Sequence, residues 1–170
     1  MKTIPLTQGK HAIVDDKWFN YLNRWKWRAS KEHRNWYAVR TDYPSKVNVA
    51  MHRIIMGLCY KDGKQVDHIN HNGLDNREEN LRICTNQQNC QHQRTQNRSM
   101  YRGISWHKGD KRWRARIKIN GKSIHLGNFK NPINAAKRYD IEARKLFGEF
   151  AYTNFKAVAC DGHKTAIDGQ

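Results

Sequence analysis

The chain has 170 residues, of which 38% are hydrophobic, enough for one domain or for two small modules in series. Its 32 Lys and Arg outnumber 15 Asp and Glu, which gives a formal net charge of +17 and a pI near 10.0. Such a charge attracts polyanions, of which nucleic acid is the commonest. The sequence has no apolar run that could span a membrane, no secretory signal and no amphipathic basic helix, so we expect an intracellular protein without a membrane partner.

Residues 1–60 are rich in tryptophan and predict a small β-rich region. Alternating patterns indicate strands at 12–14, 36–39 and 47–51. Asp15 or Asp16 is predicted to cap a short helix that follows the first of these strands. The preferred interpretation is a core built on the tryptophans. The alternative, in which these rings stack on unpaired bases, requires them to be exposed.

The cysteines are expected to be reduced and partly buried thiols, because they form no CxxC pair. They are Cys59, Cys84, Cys90 and Cys160. An alternative is a metal site that joins Cys84 and Cys90 to His92, although this spacing is poor for structural zinc.

Residues 61–97 are polar and predict a strand, a loop, a return strand at 81–84 and a helix. Asp67 and His68 lie at the end of the first strand, where a bulge or the strand end would be needed to bring them to one site. Thr85 and Gln88 form a capping box for the helix. A segment so poor in apolar side chains is expected to fold around a metal or to line a site.

Three polar groups are predicted to converge in this unit: the Asp67 carboxylate, the His68 imidazole and the amide of Asn89 in the first turn of the helix. Mg²⁺ favours oxygen ligands and takes one or two of them from protein, which Asp67 and Asn89 can supply. Mn²⁺ would satisfy the same oxygens. His68 is then available as a general base on water, because imidazole titrates near the working pH.

The segment resembles the HNH (ββα-metal) nuclease motif in the variant found in phage homing endonucleases. The resemblance rests on Asp67 and His68, on Asn80 thirteen residues beyond Asp67, and on Asn89 twenty-two beyond it. It implies that Asp67 and Asn89 bind the metal and that His68 is the base. It also implies that Asn80 fixes the loop so that His68 is aimed correctly.

Two further residues near the motif are assigned to DNA. Residues 51–53 resemble a stretch that recurs before it, in which Arg53 is predicted to contact a phosphate and the role of His52 is left open. His71 is interpreted as a phosphate contact or a bystander, and not as a metal ligand. The alternatives are a polar loop whose asparagines only make turns, and a motif that binds DNA without cutting it.

Residues 101–155 predict a second module of three strands, at 104–106, 113–119 and 123–126, followed by a helix. Asn120 and Gly121 form a two-residue hairpin turn, because both positions favour φ > 0. Asn131 caps the helix with Pro132 at its first position, and Gly148 ends it.

This module is strongly basic, with nine Lys or Arg and one acid between Arg98 and His125. Like charges on one sheet face repel unless an anion covers them, so the alternating Arg114, Arg116 and Lys118 predict a face that docks in a DNA groove. The module also resembles the plant APETALA/ethylene-response-factor domain, in its opening YRGISWHKG and its closing RYDIEARKLFGEFAYTNF.

The resemblance assigns DNA contacts to seven positions: Arg102, Ser105, His107, Arg116, Lys118, Ser123 and His125. Ser105, His107 and His125 stand where the plant proteins commonly have Arg, Arg and Trp. The resemblance therefore implies that the sheet of this protein docks in a DNA groove, but it does not imply the base preference of the plant proteins.

The predicted fold class is α+β: a small β-rich N-terminal region leading into the ββα-metal motif, then a three-stranded antiparallel sheet packed on one helix. We divide the chain into a nuclease domain at 1–95, a linker at 96–100, a DNA-binding domain at 101–156 and a tail at 157–170 that is expected to be disordered.

The predicted function is site-specific hydrolysis of double-stranded DNA by a homing-type endonuclease, phage-encoded and acting in a bacterial host. One such site in a monomer nicks one strand, so a double-strand cut requires a dimer or two events. No protein partner is implied beyond a weak dimer. The rival hypotheses are a non-catalytic, sequence-specific DNA-binding regulator and a protein that binds or cuts RNA.

Overall fold

A computed structural model describes residues 1–33, 35–59, 61–92 and 100–156. The chain divides into two compact units, one ending at residue 93 and the other beginning at residue 94. Except for Met100, the predicted linker lies outside the described residues, as does the predicted tail at 157–170. Several small sheets and a few helices give a mixed α and β architecture. No helix in the described part of the chain is long and apolar enough to cross a membrane.

Three small antiparallel sheets and three helices make up the described part of the first unit. The pairings are β1 with β2, β3 with β4 and β4 with β5, and β6 with β7. The elements are β1 Lys2–Pro5, β2 His11–Val14, α1 Asp16–Leu22, β3 Arg28–Glu32, β4 Asn35–Asp42, β5 Val47–Ala50, α2 Met51–Ile55, β6 Gln65–His68, β7 Leu81–Cys84 and α3 Asn86–His92.

The first two predicted strands of this unit are confirmed, and the third was extended one residue too far. β5 ends at Ala50, and Met51 instead begins α2. Met51 and Ile55 are the buried residues of this helix. They lie one turn apart on the same side, so their packing in the core stabilises the helix. A helix of five residues is too short to produce a helical period in the sequence.

The core of the first unit contains tryptophan, as predicted. Trp27 is buried and its indole N–H donates to the Leu22 carbonyl at 2.8 Å. Leu81 of β7 belongs to the same core, and Leu74 packs against it. The polar segment that contains β6 and β7 therefore packs on the core of the first 60 residues.

The loop between β6 and β7 is joined to the N-terminal strands and helix by polar contacts. The Ile13 N–H donates to Leu74 O at 2.8 Å, and the Asn76 N–H donates to Ile13 O at 2.8 Å. Asp15 lies at the N-cap of α1, but its side chain makes no capping bond and instead accepts from the Glu78 N–H at 2.9 Å. Asp15, predicted to cap α1, thus connects the start of this helix to the turn before β7 by a hydrogen bond.

The second unit is a three-stranded antiparallel sheet with one long helix. Its elements are β8 Ile104–His107, β9 Arg112–Ile119, β10 Lys122–Phe129 and α4 Pro132–Phe147, with β9 in the centre of the sheet. The Asn120–Gly121 turn has φ of 49° and 79°, as the sequence predicts. Asn131 caps α4 by accepting from the Ile133 N–H at 2.8 Å. Ala135, Ala136 and Ala143 are fully buried, which lets the helix lie close to the sheet.

Replacing Gly103 with alanine is expected to lower the stability of this unit by about 1–3 kcal/mol more than replacing Gly121 does. Both glycines have a strongly positive φ, 76° and 79°, so the backbone strain of an added Cβ is matched. A Cβ at Gly103 would clash with the buried ring of Tyr139, whereas at Gly121 it would meet nothing within 4 Å. Denaturant unfolding followed by tryptophan fluorescence measures the difference. Equal losses in the two variants would show that the Tyr139 contact is unimportant.

Candidate active site

Asp67 and His68 lie at the end of β6 and face opposite sides of the β6–β7 hairpin. The pairing runs without a bulge, with Asp67 opposite Arg82 and His68 opposite Leu81. Asp67 contacts His92 of α3, while His68 lies against the rings of Tyr37 and His52. His68 is the last residue of the strand, and convergence of its imidazole with the Asp67 carboxylate at one site stays a prediction.

Asp67 is an ionised carboxylate held in a buried position, with 6% of the residue exposed. The Arg82 Nε donates to Oδ2 at 2.8 Å, and the His92 Nδ1 lies 3.0 Å from Oδ1. Burial raises the pKa of Asp67, but the hydrogen bonds with His92 and Arg82 act more strongly together and keep it below its usual value. The carboxylate therefore stays charged at neutral pH and can attract a cation.

His68 is a neutral imidazole at neutral pH. Burial lowers its pKa below the usual value, against the opposing effects of the Asn76 side chain and of the carboxylates of Asp67 and Asp75. Within the described residues its Nε2 is buried and has no hydrogen-bond partner. A neutral imidazole with one nitrogen unengaged is a group that can accept a proton.

Two aromatic side chains around His68 were not assigned a role from the sequence. The His52 ring lies 5.1 Å from that of His68 at 90°, and the Tyr37 ring lies 5.8 Å from it. Burial lowers the pKa of His52 to about 3, helped by His68 and Arg53, so His52 is neutral throughout the working range. The sequence points to residues 51–53, but no local pattern in it shows that β4 places Tyr37 beside His68.

Asn80 connects two points of the loop that precedes it. Its Oδ1 accepts from the Asn70 N–H at 2.9 Å, and its Nδ2 donates to the Asp75 carbonyl at 2.8 Å. The Ile69 N–H also donates to the Asn80 carbonyl at 2.9 Å. These bonds hold the segment directly after His68, and the positioning role of Asn80 in catalysis stays a prediction.

Replacing Asn80 with alanine is expected to lower the free energy of unfolding by about 2–4 kcal/mol, because it leaves an N–H and a carbonyl without their partner. Asn80 is buried, with 5% exposed. Asn20→Ala is the matched control, since Asn20 is exposed on α1 and alanine favours a helix. Urea unfolding of both variants measures the effect. Similar midpoints for the two would contradict the bonding role of Asn80.

The helix after β7 presents Asn89 and His92 to β6. The capping box is confirmed: the Gln88 N–H donates to Thr85 Oγ1 at 3.2 Å, and the Thr85 N–H donates to Gln88 Oε1 at 2.8 Å. The Asn89 Nδ2 donates to Gln65 Oε1 at 2.6 Å, so the Asn89 carbonyl oxygen is the atom that could bind a metal. Sequence reasoning missed His92 as a partner of Asp67, although it stands three residues after Asn89 and thus on the same side of the helix.

The alternative metal site of Cys84, Cys90 and His92 is wrong. Among the residues that the structure describes, no group of three or more His, Cys, Asp and Glu is placed to hold a metal ion. Cys84 is buried, whereas Cys59 and Cys90 are exposed free thiols. Burial raises the pKa of Cys84 to about 11, so its thiol stays protonated.

Arg53 and His71, both assigned to DNA from the sequence, have contacts within the first unit. Arg53 donates to the Lys64 carbonyl at 2.9 Å and pairs with Asp62 at 2.9 Å, so it braces the loop before β6. The His71 ring stacks on that of His92 with centroids 4.1 Å apart. Contact of either residue with a phosphate stays a prediction.

The basic residues of β9 share one face of the sheet of the second unit. Arg116 is opposite His125, Lys118 is opposite Ser123, and Arg114 lies between Ser105 and Asn128. The intervening Ala115 and Ile117 are buried beneath, so alternation places the charges outward. A shallow cleft on this face is lined by Arg114, Arg116, Ser123, His125 and Asn128.

Three of the assigned DNA contacts in this unit have internal partners. Asp110 lies 2.7 Å from Arg114 and 3.1 Å from His107, which partly neutralises that end of the face. The Arg102 guanidinium lies 5.1 Å from the Tyr152 ring centroid. Arg116, Lys118, Ser123 and His125 are exposed and form the part of the face that is best placed to meet a polyanion.

Comparison with known proteins points to one class. The HNH endonuclease family matches residues 49–91, which include β6, β7 and all of α3 except its last residue, His92. An uncharacterized HNH endonuclease of Acanthamoeba polyphaga mimivirus is 33% identical over 145 residues, which cover 80% of this chain and 74% of the viral protein.

Plant transcription factors are similar over a shorter stretch. An AP2-like ethylene-responsive transcription factor of Oryza sativa subsp. japonica is 43% identical over 68 residues, 39% of this chain and 11% of the plant protein. Another from Arabidopsis thaliana is 47% identical over 60 residues, 34% of this chain and 11% of that protein.

These relationships identify the chain as a nuclease that acts on DNA. More particularly, it belongs to the HNH endonuclease family, whose members generally use a divalent metal.

Proposed function

We propose that this endonuclease is a site-specific, homing-type enzyme that hydrolyses one phosphodiester of double-stranded DNA, with His68 as the general base. The observation that carries the proposal is that a buried, neutral imidazole directly follows a buried, ionised carboxylate at the end of β6. These two groups supply the base and the cation ligand that metal-assisted hydrolysis needs.

Asp67 and Asn89 are the proposed ligands of the metal, with Mg²⁺ preferred and Mn²⁺ also accepted. The donor set fits a hard cation, since it offers a charged carboxylate and an amide oxygen from facing elements. Arg82 on Oδ2 of Asp67 reduces the negative charge at the site, so we expect weak binding in the absence of DNA. When bound, the metal would offset the charge that develops on the leaving oxygen.

The chain's own residues carry out the proton transfer and positioning. His68 accepts a proton from the attacking water, whose oxygen bonds to phosphorus while the P–O3′ bond breaks. The leaving oxygen takes a proton from solvent, so the products are a 5′-phosphate and a 3′-hydroxyl. Asn80 fixes the loop after His68, and the rings of Tyr37 and His52 limit rotation of its imidazole. The exposed cationic face of the second unit binds DNA, and one active site per monomer nicks one strand.

Cleavage of supercoiled plasmid tests the proposal. With Mg²⁺ or Mn²⁺ the wild-type chain is expected to produce open circles that DNA ligase can reseal, and with EDTA it is expected to produce none. Resealing requires a 5′-phosphate beside a 3′-hydroxyl, so it checks the chemistry of the cut. DNA retained without strand breaks in either metal, across a broad panel of plasmids, would instead indicate a non-catalytic DNA-binding protein.

The midpoint of the acid limb of the pH–rate profile is expected to lie below pH 6.5, the usual pKa of histidine. A base must be neutral, and burial lowers the pKa of His68, so the neutral form persists to more acidic pH than in a free imidazole. Single-turnover cleavage between pH 5 and 8 measures this limb. A limb above pH 7 would contradict the neutral state assigned to His68.

A further inference from the structure

The contact between α3 and β6 consists of two polar pairs in matching order. Asn89 reaches Gln65 at 2.6 Å, and three residues later His92 reaches Asp67 at 3.0 Å. Residues three apart share a helix face, and residues two apart share a strand face, so both pairs belong to one interface. His92 therefore lies directly at the proposed metal-binding carboxylate.

We propose that His92 is a third protein ligand of the divalent metal, beside Asp67 and Asn89. The inference rests on the proposed function and extends its ligand set. Two neighbouring ligands of an octahedral ion with bonds of ~2.1 Å lie roughly 3.0 Å apart. The separation of 3.0 Å between His92 Nδ1 and Asp67 Oδ1 is therefore already suited to sharing one cation.

Two neighbours keep these donor atoms in place. Arg82 Nε donates to Oδ2 of Asp67 at 2.8 Å, and this bond fixes the carboxylate with both of its oxygens 3.0 Å from His92 Nδ1. The stacked ring of His71, inclined by 18°, fixes the plane of the His92 imidazole. Both side chains of the pair are buried, with 8% of His92 and 7% of Asp67 exposed. A histidine bound to the ion through Nδ1 carries its proton on Nε2, so a change of tautomer is sufficient.

An imidazole ligand changes which ions the site prefers. Mg²⁺ favours oxygen donors, whereas imidazole favours the later first-row ions and affinity rises from Mn²⁺ to Co²⁺ and Ni²⁺. We therefore expect Co²⁺ to bind the full chain more tightly than Mg²⁺, and this preference to depend on His92.

Co²⁺ titration of the full-length protein without DNA tests the assignment, by calorimetry on wild type, His92→Gln and Asp67→Asn. His92→Gln is expected to weaken Co²⁺ binding by about tenfold or more, while Mg²⁺ binding changes much less. His11→Gln is the matched control, since His11 is exposed on β2 and its loss is expected to leave Co²⁺ affinity unchanged. Equal Co²⁺ affinity for wild type and His92→Gln would overturn the proposal.

Proton NMR of the Co²⁺ form distinguishes a ligand from a side chain that only orients Asp67. A ligated imidazole gives a strongly shifted, exchangeable ring N–H signal, expected in wild type and His11→Gln and absent in His92→Gln and His92→Asn. If the affinity falls but wild type shows no such signal, His92 acts only through its hydrogen bond and the proposal is wrong. The signal together with an intact plasmid would support the ligand assignment and contradict the proposed hydrolysis.

Discussion

Replacing His68 with alanine is expected to lower the single-turnover rate of DNA cleavage by about 10²–10⁴-fold, with DNA affinity nearly unchanged. The imidazole is the proposed proton acceptor, and alanine leaves only solvent for that step. Tyr37 and His52 contact the ring within the first unit, whereas DNA binding is proposed for the sheet of the second, so binding is expected to survive. Quenched-flow cleavage with enzyme in excess measures the rate, and fluorescence anisotropy measures the affinity.

His11→Ala is the control for the loss of a histidine, because His11 is exposed on β2. His68→Gln fills more of the buried space than alanine and guards against loss of the fold. Thermal unfolding of each variant checks that the core is intact. A folded His68→Ala chain that cuts within a few-fold of the wild-type rate would exclude His68 as the base.

Local sequence features of this protein predict local structure well. The Asn120–Gly121 turn, the Asn131 cap and the Thr85–Gln88 box each depend on contacts within a few residues, and all three are confirmed. Strand β6 and helix α3 of the motif could be predicted for the same reason. Asp67, His68 and Asn80 could be selected as candidates because the spacing between them is itself a local property of the chain.

Contacts between distant segments were not predictable in this way. Tyr37 lies near His68 only because β4 and the β6–β7 hairpin belong to one unit with a shared core. Close packing is visible at Gly73, where an added Cβ would lie 2.5 Å from the Trp36 carbonyl. The pairing of His92 with Asp67 depends on how α3 lies on β6, which no period in the sequence encodes.

The other large expected effect concerns the cationic sheet face. Replacing Arg116 and Lys118 together with alanine is expected to reduce the slope of log affinity against log salt by about 2, since each phosphate contact contributes ~0.9. At physiological salt this corresponds to a loss of roughly 30-fold in DNA affinity. Both side chains are exposed on the central strand β9, above the buried Ala115 and Ile117, so their removal should leave the core of the sheet intact.

Lys137→Ala with Lys145→Ala removes the same charge from the exposed side of α4, the element that packs on the other face of the sheet. Long-range attraction depends on total charge, whereas phosphate contact depends on where the charge lies. The helix variant is therefore expected to keep most of the salt slope, measured by anisotropy from 50 to 300 mM salt.

Equal slopes for the two double variants would mean that the second unit attracts DNA by its net charge alone. A loss confined to the sheet variant, with the cleavage rate of saturated complexes unchanged, would separate DNA binding by this unit from catalysis by the other.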